Sequence, residues 1–152
     1  GEPLCKECPW SKFCRARLDD KIKEIPVKTV KKARKAENKT IFIIKQQRNI
    51  ILHKRENKGL LAGMYEFPNT EGTLSEEEAV LWIKEQGLSP IRIQKLEKAK
   101  HIFSHVEWHM TGYEVWVDEL EEDKSGMLYV DVKEAKETYP IPAAFAVYMK
   151  YI

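Results

Sequence analysis

Apolar runs and polar punctuation alternate along most of the chain. Thr40-Ile41-Phe42-Ile43-Ile44 and Asn49-Ile50-Ile51-Leu52-His53 flank the polar Lys45-Gln46-Gln47-Arg48, a pattern that predicts an antiparallel β-hairpin with a short turn. Gly59-Leu60-Leu61-Ala62-Gly63-Met64-Tyr65-Glu66-Phe67-Pro68 follows as a glycine-punctuated apolar loop or strand, ended by Pro68 and the turn formers Asn69 and Gly72. Ser75 then predicts a helix start. Its hydroxyl can cap, Glu78 completes a capping box, and Ala79, Trp82 and Ile83 make an apolar stripe that Gly87 ends. The stretch from Ile91 to Asp118 is rich in β-branched and aromatic residues and predicts two or three strands, broken near Phe103-Ser104-His105 and at Gly112. Lys133 to Thr138 predicts a short helix. Pro140 and Pro142 precede a helical finish from Ala143 to Tyr151, with Pro142 near the favoured first turn. Strands, helix, strands, helix is the order of an α+β domain.

Upstream of these elements the pattern changes. Residues 1–14 are polar and carry all three cysteines, residues 15–38 form a basic connector, and residues 39–152 hold the alternating β and helical region. Pro26 and the run Val27-Lys28-Thr29-Val30-Lys31-Lys32 predict extended chain, because a residue before proline avoids the helical basin. No internal repeat is visible.

With 152 residues the chain suffices for one compact domain plus a tail. Apolar residues at 43% and charged residues at 33% exclude disorder throughout. No run of about 18 apolar residues exists to span a bilayer, and the N-terminus has no signal-peptide pattern. The expectation is a cytoplasmic, nucleoid-associated protein without a membrane partner. The net charge of +2 is unevenly spread, since Lys21 to Lys39 holds seven lysines and one arginine against two glutamates. Such a stretch suits phosphate contacts and equally a solvated linker.

Cys5, Cys8 and Cys14 stand as C-x2-C-x5-C. Thiolates are soft ligands and a reducing compartment disfavours structural disulfides, so this spacing points to a metal or a cluster. An odd count leaves any disulfide scheme with one thiol over. Three thiolates are one short of the four that an iron-sulfur cluster generally uses, and the chain has no fourth cysteine. Zinc held by three cysteines and a distant histidine is the competing arrangement. His101, His105 and His109 recur at every fourth residue, but their surroundings favour strands and turns over one helix face. Trp108, Tyr113 and Trp116 read as core aromatics before base-stacking platforms.

Several of these segments carry a resemblance. The cysteine spacing resembles the last three ligands of the C-x6-C-x2-C-x5-C four-iron motif of the endonuclease III and MutY glycosylases. Gly59 to Pro68 resembles the MutY-type G-L-L-A-G-x-W-E-F-P segment, with Tyr65 in place of tryptophan, and Lys100-His101-Ile102-Phe103-Ser104-His105 resembles the F-S-H loop of that family's second domain. Gly59 to Leu88 also resembles the Nudix segment. When R-E-U-x-E-E-x-G-U is anchored on Gly87-Leu88, the R-E positions fall on Val80-Leu81 and the E-E positions on Lys84-Glu85, so one of three acids survives. Mg²⁺ needs clustered oxygens to bridge a diphosphate, so the resemblance implies a Nudix-like fold without diphosphatase chemistry. Glu76, Glu77 and Glu78 precede the ligand positions and suit the helix N-terminus.

The resemblance to MutY-type adenine DNA glycosylases implies a mixed β-sheet flanked by helices, preceded by an extended linker and a truncated cluster motif. It implies a domain that reads 8-oxoguanine opposite adenine while a catalytic domain, absent here, flips and excises the adenine. Phe103, Ser104 and His105 are its implied lesion contacts. Cys5, Cys8 and Cys14 are three of four ligands to a 4Fe-4S cluster that the full-length protein would hold and this piece alone would not. Implied partners are duplex DNA with an 8-oxoguanine:adenine pair, the catalytic domain of the same protein, and a repair or replication protein on the connector. The chemistry fits a serine: 8-oxoguanine carries a proton on N7, where guanine has an acceptor, and a new carbonyl at C8. A hydroxyl can accept the N7 proton while amides remain as donors. Two other functions remain open, a Nudix hydrolase of oxidised nucleotides and a protein-interaction module.

Overall fold

The computed structural model describes residues 2–27, 33–118 and 126–152. The chain divides into two units, Gly1–Ala33 and Arg34–Ile152.

In the first unit, turns carry Cys5 and Cys8, and a single helical turn, α1 (Arg15–Leu18), follows Cys14. Lys28 to Lys32 of the expected extended run lie outside the described residues.

The second unit is built on a seven-stranded mixed sheet. Its strands are β1 (Lys35–Gln46), β2 (Asn49–Lys54), β3 (Tyr65–Glu66), β4 (Asn69–Glu71), β5 (Pro90–Ile102), β6 (Val106–Val117) and β7 (Met127–Asp131). The order is β3-β2-β1-β6-β5, with β4 paired to β1 and β7 to β2. Two helices, α2 (Glu76–Glu85) and α3 (Val132–Thr138), complete an α+β domain.

β1 and β2 form the expected hairpin, and Gln47 takes the positive φ of 52° that its two-residue turn requires. β1 also pairs in parallel with β6, from Lys35 opposite Val106 to Lys45 opposite Trp116. That pairing carries the strand five residues ahead of its apolar run, so Lys35 to Asn38, assigned above to the connector, belong to the sheet. Backbone pairing asks nothing of side-chain polarity, and hydropathy alone could not show this.

Ile41, Phe42, Ile43 and Ile44 are all buried because both sheet faces are covered. Ile41 and Ile43 face a core with Trp108, Met110, Phe145 and Tyr148. Phe42 and Ile44 face one with Tyr113, Val115 and the α2 residues Ala79 and Ile83. α2 starts as its sequence dictates: the Ser75 hydroxyl accepts from Glu78 N–H, and the Glu78 carboxylate accepts from Ser75 N–H. Trp82 stacks on Phe42 with centroids 4.4 Å apart and planes 4° apart, worth about 1 kcal/mol beyond its burial.

Two expectations need correction. Gly112 does not break the strand, because β6 runs straight through it. A Cβ there would stand 2.4 Å from Cε1 of Tyr148, so this glycine is needed where a ring from the C-terminal segment lies against the sheet. That segment is two 3-10 turns, Ala143–Phe145 and Met149–Tyr151, in place of one helix, and Pro142 precedes the first turn as its cap.

Candidate nucleic-acid interface

Strand polarity gathers three chain segments at one end of the sheet. β1 starts there, β2 ends there, and the β5–β6 hairpin turns there through Phe103-Ser104-His105. The turn closes when Phe103 N–H donates to Val106 O at 2.8 Å. Its own carbonyls are engaged from β1: Arg34 Nε donates to Phe103 O at 3.1 Å and Lys35 N–H to His105 O at 3.2 Å. Ser104 and His105 are exposed. Among the described residues, nothing pairs with their amide N–H groups or with the Ser104 hydroxyl. The tip therefore offers two backbone donors and one hydroxyl to solvent, on a backbone fixed from behind.

Phe103 is half-buried. Its ring packs edge-on to Trp108 at 4.9 Å and to His101 at 4.6 Å, and it joins the core cluster of Ile41 and Phe145. Phe103 is thus the packed residue of the loop, and Ser104 and His105 form its outward part. Trp108 is core, as its pattern suggests, but has a polar tether: Nε1 donates to Glu37 Oε2 at 3.1 Å, while Lys39 Nζ sits 4.9 Å from the ring centroid. The Lys35 ammonium, together with that indole donor, holds the Glu37 carboxyl below its usual range. Tyr113 is buried and Trp116 half-buried.

The second family-like segment lies at the same end. Leu61 takes φ 59° and Gly63 φ 71° in the loop between β2 and β3. Gly63 N–H donates to Glu56 O, and Arg55 N–H donates to Met64 O. Arg55 ties this loop to the other: Nε donates to Leu60 O at 3.1 Å, Nη1 pairs with the buried carboxylate of Glu66, and the guanidinium carbon lies 5.9 Å from the Trp108 ring centroid. His53 Nδ1 stands 3.5 Å from the other Glu66 oxygen. Arg34, Glu37, Lys39 and Arg55 were not singled out from sequence. Only the alternation that places Glu37 and Lys39 on the Ile41 face hinted at two of them.

The remaining expected residues lie elsewhere. On α2, Leu81 is 59% exposed, Lys84 and Glu85 are exposed, and Val80 is half-buried. His101 and His109 sit on different strands, and His109 Nε2 meets Glu107 Oε1 at 2.6 Å. Cys5 and Cys14 are half-buried, Cys8 is exposed, and none is in a disulfide. Three thiols suit a cluster chemically, yet among the described residues no three Cys, His, Asp or Glu side chains gather as a metal would require. No helix among the described residues is long and apolar enough to cross a membrane.

The sequence profile of the NUDIX domain matches residues 40–151. The adenine DNA glycosylase of Buchnera aphidicola subsp. Acyrthosiphon pisum (strain APS) is 28% identical over 109 residues, covering 72% of this chain and 30% of that protein. The adenine DNA glycosylase of Buchnera aphidicola subsp. Baizongia pistaciae (strain Bp) is 28% identical over 118 residues, covering 77% and 32%. The chain spans about a third of the length of these relatives. Among solved structures, the C-terminal domain of mouse MUTYH, in complex with human PCNA, has a TM-score of 0.59 at 22% identity over 76% of this chain and 88% of that one. A MutT NUDIX hydrolase from Burkholderia pseudomallei has a TM-score of 0.58 at 18% identity over 78% and 98%. These likenesses show the fold.

Proposed function

The chain belongs to the NUDIX domain family, and we propose that it is the lesion-reading domain of a MutY-type adenine DNA glycosylase, whose remaining part excises adenine opposite 8-oxoguanine. The observation that carries this reading is the hairpin tip. Ser104 and His105 project with unpaired donors and a hydroxyl, while Arg34 and Lys35 hold the loop's own carbonyls. The hydroxyl accepts the N7 proton of 8-oxoguanine and an amide donates to its C8 carbonyl. Guanine reverses the first contact and lacks the second, a difference worth roughly 1 to 3 kcal/mol. The glycosylase relatives add support from outside the loop.

The exposed Leu81 and Lys84 at two of the ligand positions on α2 favour this reading over a nucleotide diphosphatase. In the full-length protein, Cys5, Cys8 and Cys14 would supply three ligands of a 4Fe-4S cluster, the fourth coming from elsewhere. Residues 15–33, the part of the connector that precedes β1, would join the two parts and present a surface to a repair or replication protein.

The test compares Ser104→Ala with the unaltered protein, in the full-length enzyme for adenine removal and in this chain for binding, on duplexes with 8-oxoguanine or guanine opposite adenine. The preference for 8-oxoguanine should fall about tenfold, the counterpart of roughly 1.4 kcal/mol. An unchanged preference rejects Ser104 as the discriminator.

A further inference from the structure

The sheet face that carries α2 is bare near the hairpin tip. Strand alternation puts Asn38 and Thr40 on the face of Phe42, and His109 and Thr111 on the face of Tyr113. Register then lines up side chains across three strands. Asn38, His109 and Lys100 form one row; Thr40, Thr111 and Lys98 form the row behind it; Ala36, Glu107 and Ile102 form the row nearest the tip. Thr40 is buried beneath the loop leading into α2, accepting from Leu74 N–H and donating to Gly72 O. Asn38, Lys98, Lys100 and His109 are exposed. With Thr73 as a wall, they line an open cleft of about 300 Å³.

The cleft rows set the ammonium groups of Lys98 and Lys100 against the one carboxylate of Glu107, and the acids of the first α2 turn, Glu76, Glu77 and Glu78, lie on the same face toward Tyr113. Lys100 Nζ and His109 Nε2 both reach Glu107 Oε1, each at 2.6 Å, and Lys100, then His109, hold that carboxyl below its usual range. Among the described residues Lys98 has no carboxylate partner, and neither the Asn38 amide nor the Thr73 hydroxyl is hydrogen-bonded. Ile102, 50% exposed, adds an apolar step between the cleft and the tip.

We propose that this face, through Lys98, Lys100, Asn38 and Thr73, binds the sugar-phosphate backbone of the DNA strand whose purine meets Ser104. The inference rests on the lesion-reading role and adds to it a direction: the strand leaves the tip along β5 and β6 on the α2 side. Cations and amide or hydroxyl donors are what phosphate oxygens take, and the row is continuous with the loop that would hold the base. Such contacts carry no sequence information, so they set affinity and leave discrimination to the loop.

Fluorescence anisotropy on the 152-residue chain, with 8-oxoguanine:adenine and guanine:adenine duplexes across a salt series, tests the proposal. Lys98→Ala/Lys100→Ala should weaken binding to both duplexes by the same factor and reduce the salt slope by about 2. Lys98→Arg/Lys100→Arg should restore both quantities. Glu107→Gln should tighten binding to both duplexes by severalfold, which a folding defect cannot mimic, whereas Glu137→Gln on α3 should change little. An unchanged affinity and slope in the lysine pair overturns the track, even if Ser104→Ala abolishes discrimination. A lost slope in a chain that never prefers 8-oxoguanine keeps the track and sinks the lesion-reading role. No measurable binding by the unaltered chain at low salt sinks both.

Discussion

The ring of Phe103 meets that of Trp108 edge-on, with centroids 4.9 Å apart and planes at 69°. Phe103 is thus the inward anchor of a turn whose other two residues point outward. Phe103→Leu keeps much of the apolar burial and loses the ring contact, which should cost about 1 kcal/mol in urea unfolding. If the anchor sets the loop, the preference for 8-oxoguanine falls with it, while affinity for an undamaged duplex stays within about twofold.

Gly112 and Tyr148 form the second tight relationship. An added methyl group would lie 2.4 Å from Cε1 and 3.0 Å from Cζ of a ring that is fully buried. Gly112→Ala should therefore destabilise the domain by about 2 kcal/mol through overpacking. Combining it with Tyr148→Leu, which removes the clashing ring, should cost less than the two single changes added together. Additive costs in a double-mutant cycle would show that the contact is slack.

These two pairs mark where sequence reading succeeds and where it stops. The Ser75–Glu78 box, the β1–β2 hairpin and the turn at Phe103 to His105 depend on neighbours in sequence, and all were legible. Gly112 was read as a break because nothing near it announces a tyrosine arriving from the C-terminus. Arg34 stayed silent because the carbonyl it holds lies 69 residues away. Arg55 looked like one more cation after a strand, and its importance appears only once Leu60, Glu66 and Trp108 converge on it.

The Arg55–Glu66 pair gives a prediction of that convergence. The Glu66 side chain is 8% exposed and that of Arg55 22%, so removing the arginine leaves a nearly buried carboxylate with only His53 nearby. Arg55→Ala should cost about 3 kcal/mol. Arg55→Ala/Glu66→Ala, which removes both charges, should be less damaging than Arg55→Ala alone. A double variant worse than the single one would mean that the Leu60 hydrogen bond, and not the ion pair, dominates.

Alkaline pH tests the C-terminal clamp. The Tyr148 hydroxyl donates to Glu97 O at 3.2 Å; burial first, then the Glu97 carboxylate and Tyr151, push its pKa up from 10.0. A folded-state value above the unfolded one contributes stability that is complete below the unfolded pKa and is lost as pH rises beyond it. The Glu97 ammonium partner, Lys150, has its pKa raised by that carboxylate and therefore loses its contribution in the same direction, above 10.5. Urea midpoints should hold steady from neutral pH to about pH 9 and fall beyond about pH 10. Tyr148→Phe should lower stability at neutral pH by about 1 kcal/mol, the worth of one hydrogen bond, and make the alkaline fall shallower. An alkaline limb equally steep in Tyr148→Phe would assign the transition to other groups and remove Tyr148 from the account of how the C-terminal turns are held to β5.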